Sequence, residues 1–85
     1  MEIKSKDDIR RIVRVILMQT LGTEEDCNLD APFHALGADS LDEVLLATDV
    51  EEAFNLKIGD EDCRMCKTPN EVVELVSRLL SAKHK

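Results

Sequence analysis

Two places in this 85-residue sequence combine residue types and spacing that could support chemistry: a serine among carboxylates, Asp39-Ser40-Leu41-Asp42, and a thiol pair, Cys63-Arg64-Met65-Cys66. A serine becomes a nucleophile only beside a general base. His34 lies across Gly37 from Ser40, and His84 belongs to a polar tail, so neither is placed by sequence to take its proton. Catalysis is not expected, and the chain reads as a non-enzyme. Zinc takes four ligands. The other sulfur and imidazole groups, Cys27, His34 and His84, stand at no recognisable spacing from the pair, so no metal is expected. A thioredoxin-like motif belongs in a βαβ unit, which the surroundings of Cys63 lack. At i and i+3 the two thiols share one helical face, as small hydrophobes or as a redox pair. His34, next to Phe33, is expected to be exposed and without chemistry.

The elements that must position these residues are helical. Apolar residues make up 44% of the chain and charged residues 34%, enough apolar material for one core, and a chain of this length has room for one domain, taken as residues 1–85. Aromatics stand at 2%, Phe33 and Phe54 alone, which favours helices over a sheet. Ile9, Ile12, Val13, Ile16 and Leu17 recur at spacings of three and four and predict a helix over 6–21, with Ser5 as its N-cap and Gly22 as its stop. From Thr23 to Asp39 the periodicity disappears. A long loop is expected there, pinned by Leu29, Phe33 and Leu36, and loops of this length in small domains are usually functional.

Ser40-Leu41-Asp42-Glu43 has the form of a capping box, which starts a second helix with Ser40 as N-cap and Glu43 as its partner. Its apolar stripe is read as Leu41, Val44, Leu45, Val50 and Phe54. Residues 60–66 allow about two turns, too short for stability without packing. Thr68-Pro69-Asn70-Glu71 is a second box with proline at the first helical position, and the last helix carries Val72, Val73, Leu75, Val76, Leu79 and Leu80. The expectation is an all-α four-helix bundle of three main helices and one short one.

Charge is uneven. The formal net charge is −7, which repels a phosphate backbone and argues against nucleic acid. Between Asp30 and Asp62 ten acidic residues face Lys57 alone, a local net charge of −9. Such a field steers basic partners. No apolar run approaches the ~20 residues of a membrane span, no secretory signal leads the sequence, and three cysteines are an odd number. A reduced, cytoplasmic monomer is expected.

The segment Leu36-Gly37-Ala38-Asp39-Ser40-Leu41-Asp42 resembles the attachment motif of acyl carrier proteins, in which the serine of an Asp-Ser-Leu triplet at the start of the second helix carries phosphopantetheine. The resemblance extends to Leu21-Gly22, the long loop, Val50-Glu51-Glu52-Ala53-Phe54 and Ile58-Gly59-Asp60-Glu61. It implies a carrier of acyl intermediates, held as thioesters on a 4′-phosphopantetheine arm that coenzyme A donates to Ser40, in fatty-acid or related lipid or polyketide biosynthesis. A helix N-terminus suits the phosphodiester that would form there.

By the same resemblance Asp39 and Leu41 flank the attachment site. Asp42, Glu43, Leu45, Asp49, Glu51 and Glu52 would meet a phosphopantetheinyl transferase and acyl-transfer and chain-elongation enzymes with basic docking surfaces. Leu46, Val50, Ile58, Cys63, Cys66, Val72 and Val76 would line an acyl-chain cavity, which makes the cysteines small apolar lining. Leu45 stands where many members have Glu, and Asp49 where a small apolar residue is usual, departures that bear on which enzymes it would meet; Leu45 and the cysteine pair are features of a specialised member. The rival reading is an unmodified acidic helical adaptor that binds a basic protein non-covalently.

Overall fold

The computed structural model describes residues 5–24 and 27–83. Helices α1 (Lys6–Leu21), α2 (Ser40–Phe54), α3 (Asp60–Met65) and α4 (Pro69–Lys83) follow in chain order, with a 3₁₀ turn, Phe33–Leu36, in the loop between α1 and α2. There is no strand among the described residues. The loop is therefore less irregular than its sequence implies. Its 3₁₀ turn buries Phe33 and half-buries Leu36, and it ends at Gly37, whose φ of 83° favours glycine.

Each long helix begins with side-chain help. The Ser5 hydroxyl accepts the Asp8 amide at 3.3 Å, as expected, and α1 stops at Gly22 in the left-handed conformation. At α4 the Thr68 hydroxyl accepts the Glu71 amide at 3.2 Å. The short helix has no such aid: α3 follows Gly59 with no side-chain cap.

Ile9, Val13, Ile16 and Leu17 of α1 are buried against Leu46, Val50 and Phe54 of α2 and Val72, Val73, Leu75 and Val76 of α4. Full burial of such side chains contributes roughly 1.5–3 kcal/mol each, and no polar or charged residue is buried among those described. The close helix pairings are α1 with α4 and α1 with α2. Helices α2 and α4 approach each other far less, and a small cavity lies between them, lined also by Cys63 of α3.

The core stripe of α2 departs from the sequence reading. Leu41, Val44 and Leu45 are exposed, at 65%, 58% and 47%, and Leu46 takes their place on the buried line with Val50 and Phe54. Apolar residues occupy two faces of this helix, and only the i, i+4, i+8 line reaches α1. The loop is tied across the fold. The Phe33 amide donates to the Lys67 carbonyl at 3.1 Å and the Asn70 amide to the Leu29 carbonyl at 2.9 Å. The Asn70 side-chain amide also donates to the Asp30 carboxylate.

Candidate functional site

The start of α2 is capped one residue earlier than the sequence pattern indicates. Asp39, not Ser40, is the N-cap: its carboxylate accepts the Asp42 amide at 3.0 Å, and the Asp42 carboxylate accepts the Asp39 amide at 3.1 Å. Ser40 is thus the first helical residue, and Glu43 is not the partner of a serine cap. The physical reason is that Asp39 and Ser40 both suit a cap followed three residues later by an acid, and the shorter reciprocal pair of aspartates closes here.

The displacement leaves the Ser40 side chain exposed, with no hydrogen bond to its hydroxyl among the described residues. The first intrahelical bond runs from the Glu43 amide to the Asp39 carbonyl at 3.0 Å, so the Ser40 and Leu41 amides have no acceptor within the helix. An exposed hydroxyl beside two such donors at the positive end of a helix dipole fits a phosphodiester anion. Leu41 is beside it, exposed.

The acidic residues fall into two groups. Asp49 and Glu52 are exposed on the outer face of α2, continuing the line of Leu41, Val44, Leu45 and Thr48. That face is apolar near Ser40 and acidic at its far end. Asp42, Glu43 and Glu51 are half-buried. Asp42 closes the capping box, and the Glu51 carboxylate accepts the Ile58 amide at 2.7 Å, holding the turn after α2.

Glu43 is on a cavity of about 20 Å³ in the gap between α2 and α4, room for about one water. Glu43, Leu46 and Ala47 line it from α2, Ile58 from the following turn, and Cys63 and Cys66 from α3 and its end. Phe33, Val72 and Leu75 complete it. Of the seven residues assigned to an acyl cavity, Leu46, Ile58, Cys63, Cys66 and Val72 line this space. Val50 and Val76 do not: both are fully buried in the core against α1. Phe33, Glu43, Ala47 and Leu75 were missed as lining. Glu43 and Ala47 could have been found, since Glu43 stands one turn before both Leu46 and Ala47, whereas Phe33 was expected to pin the loop and its place on the cavity is set by the tertiary fold.

Burial pushes the Cys66 thiol up to about 11, with the Glu71, Cys63 and Asp62 charges adding to it and Arg78 opposing. A thiol held in its neutral form is a poor nucleophile. No disulfide joins the cysteines, and no group of potential metal ligands gathers among the described residues. His34 is exposed. His84 lies outside the described residues.

Comparison with known proteins agrees with this architecture. Residues 9–76 match the family described as the phosphopantetheine attachment site. An acyl carrier protein from Cyanidium caldarium is 38% identical over 74 residues, covering 85% of this chain and 86% of the relative. In fold the chain is similar to a type-II acyl carrier protein from Streptomyces verticillus involved in bleomycin biosynthesis, with a TM-score of 0.79 and 21% identity over 88% of this chain and 89% of that one. It is also similar to the acetyl actinorhodin acyl carrier protein of Streptomyces coelicolor, with a TM-score of 0.69 and 26% identity over 94% of each chain.

The chain belongs to the acyl carrier protein family. Its prosthetic group is 4′-phosphopantetheine, and its function is to carry acyl groups. Membership favours the carrier over the unmodified adaptor. Members of the family work with acyl-handling enzymes and are carriers rather than catalysts. No helix among the described residues is long and apolar enough to cross a membrane.

Proposed function

We propose that Ser40 is the attachment residue, and that residues 1–85 act as one cytoplasmic, monomeric carrier domain with no catalytic activity of its own, in fatty-acid or polyketide synthesis. The observation that carries this is the position of Ser40 at the first turn of α2, exposed and relieved of capping by Asp39. When bound, the arm supplies the thiol on which an acyl group is held as a thioester. The protein's own contributions are positional. The amides of Ser40 and Leu41 are left without an acceptor in the helix beside the attachment residue, and Asp39 and Asp42 brace the helix start around it.

The exposed face of α2 is the docking surface for the transferase and for acyl-transfer and elongation enzymes. Asp49 and Glu52 attract a basic partner at long range, while Leu41, Val44 and Leu45 provide apolar contact beside Ser40. Glu51 and Asp42 support this surface from within, since their carboxylates are committed to backbone amides. The cavity between α2 and α4 receives the acyl chain. At about 20 Å³ it must widen to do so, and α3, a six-residue helix without a side-chain cap, is the wall that yields most easily.

Attachment is tested by intact mass after incubation with coenzyme A and a phosphopantetheinyl transferase. The wild-type chain gains one phosphopantetheine. Ser40→Ala gains none and retains its helical circular dichroism. A mass gain in the alanine variant would overturn the assignment of Ser40.

A further inference from the structure

We infer that Cys63 and Cys66 form a thiol–disulfide site, which exchanges with low-molecular-weight disulfides such as glutathione disulfide and closes into a bond across the last turn of α3. The inference does not depend on the reading of Ser40.

The Cys66 amide donates to the Cys63 carbonyl at 3.2 Å, the closure of a tight turn from i to i+3. A turn so closed holds its first and fourth Cα atoms within about 7 Å, and a disulfide joins Cα atoms roughly 4.4–6.8 Å apart. Cys66 has already left the helix, with φ of −79° and ψ of 115°. Both residues line the same cavity of about 20 Å³, and they stand near enough for charge on Cys63 to bear on the Cys66 thiol. The two differ in access. Cys63 is half-buried and Cys66 buried, so Cys63 is the thiol that a dissolved disulfide meets first. The third thiol, Cys27, is in the loop after α1 and does not line this cavity.

The exchange runs in two displacements. Cys63 gives its proton to solvent, and its thiolate attacks one sulfur of the small disulfide. That S–S bond breaks, a mixed disulfide forms on Cys63, and one small thiolate leaves. Cys66 then loses its proton and attacks the Cys63 Sγ, which displaces the second small thiolate. Two protein thiols are oxidised to one disulfide, and one small disulfide is reduced to two thiols that take up the two protons. Burial and the charges of Glu71 and Asp62 hold Cys66 as a neutral thiol against the pull of Arg78, which makes the second displacement the slow one. For the same reason Cys66 supplies none of the thiolate stabilisation that makes a disulfide easily reduced, so the bond persists once formed. In a chain otherwise kept reduced, a reversible bond of this kind is a redox sensor. It closes covalently the end of a six-residue helix whose start has no side-chain cap.

The test incubates the folded protein with glutathione disulfide, quenches it in acid, unfolds it, alkylates the remaining thiols with iodoacetamide, and weighs it intact and as peptides. Before incubation all three cysteines are alkylated. Afterwards only Cys27 is, and the peptide holding Cys63 and Cys66 is lighter by two hydrogens. Cys66→Ser stops at the first displacement and keeps one glutathione on Cys63, whereas Cys63→Ser takes up glutathione on Cys66 about tenfold more slowly, as expected of a buried, neutral thiol. At a fixed ratio of glutathione disulfide to glutathione, the ratio of oxidised to reduced pair is about tenfold higher in the folded chain than in concentrated urea, because the fold holds the thiols together. Three alkylated thiols after incubation, a mixed disulfide that stays on wild-type Cys63, or a disulfide that includes Cys27 overturns the inference. So does an equal ratio in urea, since the local sequence alone would then account for the bond. Equally fast uptake on Cys66 in Cys63→Ser overturns the assignment of Cys63 as the thiol attacked first.

Discussion

Asp39 decides what Ser40 is available for. Because the aspartate caps α2, Asp39→Ala should lower stability by about 1 kcal/mol, whereas Ser40→Ala should leave it nearly unchanged. Urea midpoints at equal m-value check the pair. The cap could not be read from sequence, since Asp39 with Asp42 and Ser40 with Glu43 are two boxes offset by one residue, and only the backbone at residue 39 chooses between them. The motif itself was legible, because its residue types are specified by their neighbours in the chain. Cys66 gives a second expectation. Its thiol has an ordinary value of 9.0 and stands at about 11 in the folded protein. Below the lower value both states hold the proton. Between the two, the unfolded chain releases it and the folded chain does not, so stability falls as pH rises through this window. Denaturation midpoints from pH 8 to 11 should decline more steeply in wild type than in Cys66→Ala. Thiol labelling of Cys66 at neutral pH should be slow for the same reason.

Among the elements, α2 carries the most function and was the least completely read. Its acidic run is uniform in sequence, but composition does not reveal that Glu51 is turned to an amide seven residues on. The two carboxylates in Glu51-Glu52 should therefore behave differently. Glu51→Ala should destabilise the fold by about 1.5 kcal/mol through loss of a bond to a charged acceptor. Glu52→Lys with Asp49→Lys should leave stability nearly unchanged, slow association with the transferase, and weaken its dependence on salt. Stopped-flow association at two ionic strengths, beside urea denaturation, separates the roles. An unaltered on-rate in the double variant would leave Leu41, Val44 and Leu45 as the docking determinants. Periodicity put those three on the apolar stripe, although the resemblance put Leu45 at the docking face and Leu41 beside the attachment site: α2 has apolar residues on two faces, and periodicity within one helix does not say which of them meets a neighbour. Helix α1 has a single apolar face, and its bounds, cap and stop were all legible.

At the scale of the whole molecule, α1 is the strut on which α2 and α4 separately lean, and the cavity occupies the space they leave. Amides of α3 should exchange with solvent faster than those of Val13 or Val76, and loading Ser40 should alter exchange at Cys63 and Cys66 more than in α1, as hydrogen-exchange mass spectrometry can resolve. The clasp between the 3₁₀ loop and the start of α4 was invisible in sequence, because its bonds join residues about forty positions apart. That separation bears on how the chain reaches its native form. Helical turns assemble from local contacts, but a clasp that spans nearly half the chain must wait for the ends of a long loop to meet. Interactions formed that late weigh on the rate of unfolding more than on the rate of folding. Asn70→Ala, which removes the side-chain arm of the clasp, should steepen the loss of native protein with time in denaturant while leaving the refolding limb of the chevron almost where it was. On this account the loop that leads to Ser40 is the last part of the carrier to form and the part that sets its lifetime.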